Sequence, residues 1–196
     1  MTTEFVLIRH GETAWNVELR YQGSSDIPLN GLGVRQAQSL ADSMRGEDWD
    51  VIVSSPLQRA WNTALPIAEA VGIDAEHLIP DPRLMERAFG VVEGLLGHER
   101  ESQYPGDVWE GLESHAEVEA RAIEAMEDYL QRYANKRIMM VAHGGWINSV
   151  LEVLSQGGYG YGKSVILNTS CTFISHDGEG WHVGDVAVAP HLEALA

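Results

Sequence analysis

The chain has 196 residues, 44% of them hydrophobic, enough to bury the core of one domain spanning residues 1–196. A net charge of −16 at pH 7 repels polyanions, so nucleic acid and membrane surfaces are not expected as partners. No apolar run approaches the ~20 residues that cross a bilayer, no basic segment precedes the short apolar run near the N-terminus, and a lone cysteine, Cys171, forms no internal disulfide, which together predict a cytoplasmic protein.

Phe5–Ile8 is a continuous apolar run ending in a charged turn, the pattern of a strand buried on both faces. Residues 33–44 carry Val34, Ala37, Leu40, Ala41 and Met44 at helical spacing. Val51–Val53 predicts a second strand, and Pro56 suits the first turn of a helix running to about Val71. A third helix is expected from about Ala116 to Tyr133, dense in Ala, Glu and Met. Ile138–Ala142 reads as another doubly buried strand, followed by Gly144-Gly145 and a helix to about Leu154. Two strands near Cys171–Ser175 and Trp181–Val186, turning at Asp177-Gly178, close the chain.

Alternating strands and helices predict an α/β fold: a three-layer α/β/α sandwich around a mostly parallel mixed sheet, with a short lid-like insertion over residues 97–115. Ligands of such sheets gather beyond the carboxyl ends of the strands. Arg9-His10, Ser54-Ser55 and His143-Gly144 all follow predicted strands and should converge on one crevice.

A histidine at a strand end serves as base, nucleophile or metal ligand, although most often it only satisfies backbone groups. Arg9 beside His10 adds fixed positive charge, which opposes a divalent cation and favours an oxyanion. Arg59, early in its helix, is by default a surface cation. Near a crevice, its planar fork would match phosphate oxygens. His143-Gly144-Gly145 opens a helix, whose N-terminus attracts anions, though glycine there also permits a plain tight bend. Glu86 sits in a segment without periodicity and reads as a surface carboxylate paired with Arg87.

These residues fall in blocks that resemble the histidine phosphatase superfamily, close to its phosphoglycerate mutase-like branch. LIRHGETAWN at 7–16 resembles the family's opening signature, and the likeness continues through Gln22-Gly23-Ser24-Ser25-Asp26-Ile27-Pro28-Leu29, Gly33 and Gln36-Ala37. It resumes at SSPLQRAWNTA (54–64), LMERAFGVVEG (84–94), Glu113-Ser114 with Glu117-Val118 and Arg121, and VAHGG (141–145), in family order across nearly the whole chain. The resemblance implies that His10 accepts the phosphoryl group and that Arg9, Arg59 and His143 grip it, helped by Asn16 and the backbone at Gly144. It further implies that Glu86 donates a proton and that Gln22 and Gly23 line the substrate side.

Where the mutase branch has Tyr and Lys, this chain has Phe89 and Gly97. Between Gly97 and Ala116 it carries His98, Arg100, Tyr104 and Trp109, but not the paired arginines with which mutases hold a substrate carboxylate; Arg87 is the feature it shares with them. The expected activity is therefore that of a metal-independent phosphomonoesterase without a cofactor, hydrolysing a small phosphorylated metabolite through a phosphohistidine on His10. The alternatives are a phosphoglycerate mutase-type phosphotransferase, a non-catalytic phospholigand-binding domain and, disfavoured by Arg9 and Arg59, a metal-dependent hydrolase built from His10, His143 and Glu86. Assembly into a homo-oligomer is left open. His77, His98, His115, His176, His182 and His191 read as surface residues, Cys171 as a small core residue and Trp15 as packing. Tyr104 and Trp109 are expected to roof the crevice and help choose the substrate.

Overall fold

The computed structural model describes residues 1–195. Strand β1 (Thr3–Arg9) extends the first apolar run at both ends and runs through the middle of a six-stranded sheet. Helix α1 (Ala14–Val17) and helix α2 (Gly31–Ser43) follow, then β2 (Val51–Ser54), α3 (Gln58–Ala70) and β3 (Ile79–Pro80). Next come α4 (Gly97–Gln103), α5 (His115–Arg132), β4 (Arg137–Ala142), α6 (Gly144–Leu154), β5 (Cys171–His176) and β6 (Trp181–Val183).

The strand order is β3-β2-β4-β1-β5-β6. β1, β2, β3 and β4 are mutually parallel, with Phe5 opposite Ile138 and Arg9 opposite Ala142, whereas β5 runs antiparallel to β1 with Ile8 opposite Cys171. The register brings the carboxyl ends of β1, β2 and β4 to one edge, and the amino end of β5 arrives at the same edge.

Successive strand residues point to opposite faces, and each face is covered. Phe5, Leu7, Ile138 and Met140 pack with Val118, Met126, Trp146 and Val150 of α5 and α6. Val6, Ile8, Met139 and Val141 pack with Leu40, Ala41, Ala64 and Ile67 of α2 and α3. The result is the three-layer α/β/α sandwich with a mostly parallel mixed sheet. Each fully buried Leu or Ile contributes roughly 1.5–3 kcal/mol to that packing.

Caps decide where the helices begin. The Asn30 side chain accepts from Gly33 N at 2.8 Å, so α2 starts at Gly31, two residues before the expected start at Gly33. Ser114 and Glu117 form a reciprocal capping box at the start of α5. α3 starts at Gln58, not in a turn containing Pro56; Leu57 caps it in an extended conformation, and its N–H goes to Ser55 Oγ. The last strand ends at Val183, where a bulge breaks the ladder: Phe173 accepts from Gly184 N and donates to Asp185 O. α1, β3 and α4 were not predicted because four-, two- and seven-residue elements are too short to show a period. Among the described residues no helix is long and apolar enough to cross a membrane.

Candidate active site

β1 delivers Arg9 and His10 to the sheet edge. His10 N donates to Ala142 O at 3.0 Å, carrying the β1–β4 ladder one step beyond the strand. The next residue must be glycine, because a Cβ on Gly11 would come within 2.6 Å of Gly33 O at the start of α2. The chain therefore turns tightly, and Gly11 N is taken up by Thr63 Oγ1 of α3 at 2.9 Å. His10 Nδ1 donates to Gly11 O at 2.7 Å. With that proton on Nδ1, the lone pair of the neutral ring is on Nε2. Burial, then the charges of Arg59 and Arg9, hold the His10 imidazole well below the ordinary histidine range.

Arg59 is fully buried, which overturns its default reading as a surface cation. Its Nε donates to His143 Nδ1 at 3.2 Å, Nη1 to Ser25 O and Nη2 to Gly23 O, each at 2.7 Å. Burial lowers its pKa to about 10, opposed chiefly by Glu86, so the guanidinium keeps its charge at neutral pH. Arg9 anchors Nη1 on Ile166 O at 2.7 Å, while its buried Nε has no partner. An unpaired buried N–H is costly, and the side chain that carries this one lines the crevice. Gly144 lies against that side chain: a Cβ there would stand 3.6 Å from Arg9 Nε.

His143 follows β4, and its ring centroid stands 5.1 Å from that of His10. Since Nδ1 accepts from Arg59, the proton is on Nε2, 2.8 Å from Ser55 Oγ at the end of β2. The three strand ends thus meet as the strand order predicts. Burial and Arg59 also hold His143 well below the ordinary histidine range.

Glu86 comes from the opposite side. Its Oε2 accepts from Gly145 N and its Oε1 from Trp146 N, each at 3.1 Å, and Oε1 also accepts from Arg87 N at 2.9 Å. The carboxylate thus sits on the N-terminus of α6. The expected pairing with the Arg87 side chain is absent: Arg87 Nε donates to Glu113 O and Nη1 meets His115 Nε2. Arg121 of α5 holds the Glu86 segment in place, donating to the carbonyls of Arg83, Met85 and Glu86 and pairing with Glu113 at 2.7 Å.

Arg9, His10, Asn16, Gln22, Gly23, Arg59 and Glu86 line one cavity of about 470 Å³. The sequence matches the Histidine phosphatase superfamily (branch 1) over residues 5–188. The chain belongs to that superfamily.

This histidine phosphatase is 34% identical to the "Uncharacterized phosphatase PhoE" of Bacillus subtilis, over 98% of each chain. It is 32% identical to the "Metal-independent phosphoserine phosphatase" of Arabidopsis thaliana, over 98% of this chain and 84% of that one. Among solved structures, phosphoserine phosphatase of Entamoeba histolytica in complex with 3-phosphoglyceric acid superposes with a TM-score of 0.84 at 29% identity, covering 97% of this chain and 99% of that chain.

The remaining sequence-based expectations divide. Asn16 Oδ1 accepts from Thr13 N, and Gln22 Oε1 accepts from Thr13 Oγ1, so both help shape the loop that carries Trp15. Trp15 lines the crevice of the histidine phosphatase and is not merely packing. Tyr104 and Trp109 are not among the lining residues: Trp109 Nε1 donates to Phe89 O, and Arg100 stacks on the indole. The segment after α4 therefore backs the crevice wall and does not roof it. His191 is buried against Thr169 and is not a surface residue. Asn168, whose Nδ2 donates to His10 O at 2.9 Å, escapes sequence reading because it precedes an antiparallel strand, and the rule about parallel strand ends passes over it. Thr63 had a signal: it lies one turn after Arg59 on the same helix face, bonded to Arg59 O. Among the described residues, the His/Asp/Glu group compact enough to hold a metal is Asp74, Glu76 and His77, on the exposed link between α3 and β3; it shares nothing with the crevice.

Proposed function

We propose that this histidine phosphatase hydrolyses a small phosphate monoester, with His10 as the nucleophile. The observation that carries the reading is the arrangement of His10: Nδ1 is committed to Gly11 O, leaving the Nε2 lone pair in a crevice with two guanidiniums, one of which has an unpaired buried N–H. Arg9 and Arg59 neutralise the phosphoryl oxygens, which is most of what a phosphoryl-transfer site must do, and His143, bonded to Arg59 and Ser55, holds Arg59 in place for it. His10 Nε2 attacks phosphorus in line, and the ester P–O bond breaks. Glu86 enters this step as the carboxylic acid, gives its proton to the departing alkoxide and is left as the carboxylate bonded to Gly145 N and Trp146 N. Water then attacks the phosphohistidine, Glu86 takes its proton, and inorganic phosphate leaves with His10 restored.

Arg9 and Arg59 supply the charge that a divalent ion supplies elsewhere, which supports catalysis without metal. The mutase alternative loses its main support in Arg87, which is spent on Glu113 O and His115 and does not line the crevice. A cytoplasmic location fits the lone Cys171, buried with its thiol pushed up to about 12.

Rapid quench with a labelled phosphate ester tests the reading. It should trap an acid-labile, base-stable phosphoprotein that disappears in His10→Ala; label persisting in that variant refutes the assignment.

A further inference from the structure

Beyond its phosphate end the crevice changes character. The outer wall is formed by Trp15, Leu19, Tyr21 and Phe89. Tyr21 and Phe89 meet edge to face with centroids 5.1 Å apart, a preferred aromatic geometry. Trp15 is seated over Gly94, where a Cβ would press to 3.2 Å from the indole. Leu19 is the unusual member. It is 80% exposed, and its backbone sits at φ +57°, a left-handed conformation that leucine rarely adopts. A strained residue presenting a bare apolar side chain at the mouth of a site calls for something apolar to cover it.

The charge pattern points the same way. The cation in this outer region, Arg20, has Nε 2.5 Å from Glu18 Oε2, Nη1 on Gly94 O, and Glu99 Oε2 3.9 Å away. Two carboxylates thus outweigh one guanidinium. Arg87 packs over the Phe89 ring at 5.6 Å, with its donors spent on Glu113 O and His115, and is not part of the lining. A carboxylate on the leaving group would therefore lose water without gaining an ion pair.

We propose that the natural leaving group is an uncharged alcohol carrying an aromatic or branched aliphatic group, selected by Leu19, Tyr21 and Phe89. This rests on the phosphatase reading above and adds the substrate class to it. It separates the chain from relatives whose names refer to phosphoserine or phosphoglycerate.

The test compares kcat/KM for 2-phenylethyl phosphate, ethyl phosphate, phosphoserine and 3-phosphoglycerate. The first two leave as primary alkoxides, so their ratio reports recognition and not leaving-group chemistry. The phenylethyl ester should exceed the ethyl ester by about 10–200-fold, the range one apolar contact surface commands, and should exceed both carboxylate-bearing esters. Leu19→Ser, at a position 80% exposed, should reduce the phenylethyl-to-ethyl ratio about tenfold, and Phe89→Ala further. Leu19→Met should retain it. A ratio near one, a preference for either carboxylate ester, or a ratio unmoved by Leu19→Ser overturns the proposal while leaving the phosphatase reading standing. No phosphate release from any of the four, with no His10-dependent phosphoprotein, removes both.

Discussion

Arg59 Nε donates to His143 Nδ1 across 3.2 Å, and both side chains are fully buried. This bond fixes the His143 tautomer and puts its proton on Nε2, which faces Ser55 Oγ at 2.8 Å. Arg59 thus acts both as a charge and as a brace, because its other donors hold the carbonyls of Gly23 and Ser25.

Arg59→Lys separates those roles. Lysine keeps the charge but cannot span three acceptors with a planar fork. The kcat/KM should fall about 10²–10³-fold, the usual loss of one aligned donor. Steady-state kinetics on the folded variant decides it, and a loss under tenfold would show that charge alone suffices.

Glu86→Gln keeps shape and hydrogen bonding but removes the transferable proton. Phosphorylation of His10 should slow roughly 10²–10⁴-fold with alkyl phosphates and far less with nitrophenyl phosphate, whose leaving group needs no proton. Burst kinetics isolates that step from dephosphorylation. Equal slowing for both substrates would reduce Glu86 to a capping carboxylate at the start of α6.

His191→Ala tests the C-terminal 3₁₀ turn, Pro190–Leu195. Thr169 is buried at φ +57°, an uncommon conformation for a β-branched residue; its N–H holds Arg9 O, and its hydroxyl meets His191 Nε2 at 2.9 Å. That hydroxyl also donates to Asn168 O, so the variant removes one donor to its oxygen, which should cost about 1 kcal/mol, lowering Tm by roughly 2–4 °C. A Tm within one degree of the parent would show that the turn contributes nothing.

Stability should depend on pH through the buried histidines. Burial holds His10, His143 and His191 below the ordinary value, so the folded chain stays deprotonated where the unfolded chain begins to bind protons. Their contribution is full above about pH 6.5 and is lost as pH falls below it, by up to about 1.4 kcal/mol per unit for each fully buried ring. The lowered carboxylates Asp81, Glu93 and Glu113 act the same way only below about pH 4.5. Urea unfolding at pH 7.5, 6.5 and 5.5 reads the histidine window alone. A flat profile would contradict it, and His143→Asn should flatten the slope in part.

The strands were legible because a doubly buried strand must be apolar at every position, and Phe5–Ile8 and Ile138–Ala142 are. Parallel alternation with helices then implied which ends face the ligand, so His10, Ser55 and His143 could be grouped from residue order alone. Glu86 belonged to the site only by resemblance, because its segment has no period.

What the sequence by itself determined is the layered fold and the convergence of three strand ends, since burial leaves a local pattern that short windows carry. Only the tertiary structure decided that Arg59 is buried, that Glu86 meets the start of α6, and that Trp15, Leu19, Tyr21 and Phe89 form the outer wall while Tyr104 and Trp109 stand behind it. Each of those outcomes depends on contacts between distant segments, as when Arg121 grips the carbonyl of Glu86 35 residues away. A side chain's spacing along its own element carries no information about which distant carbonyl or helix end it will meet.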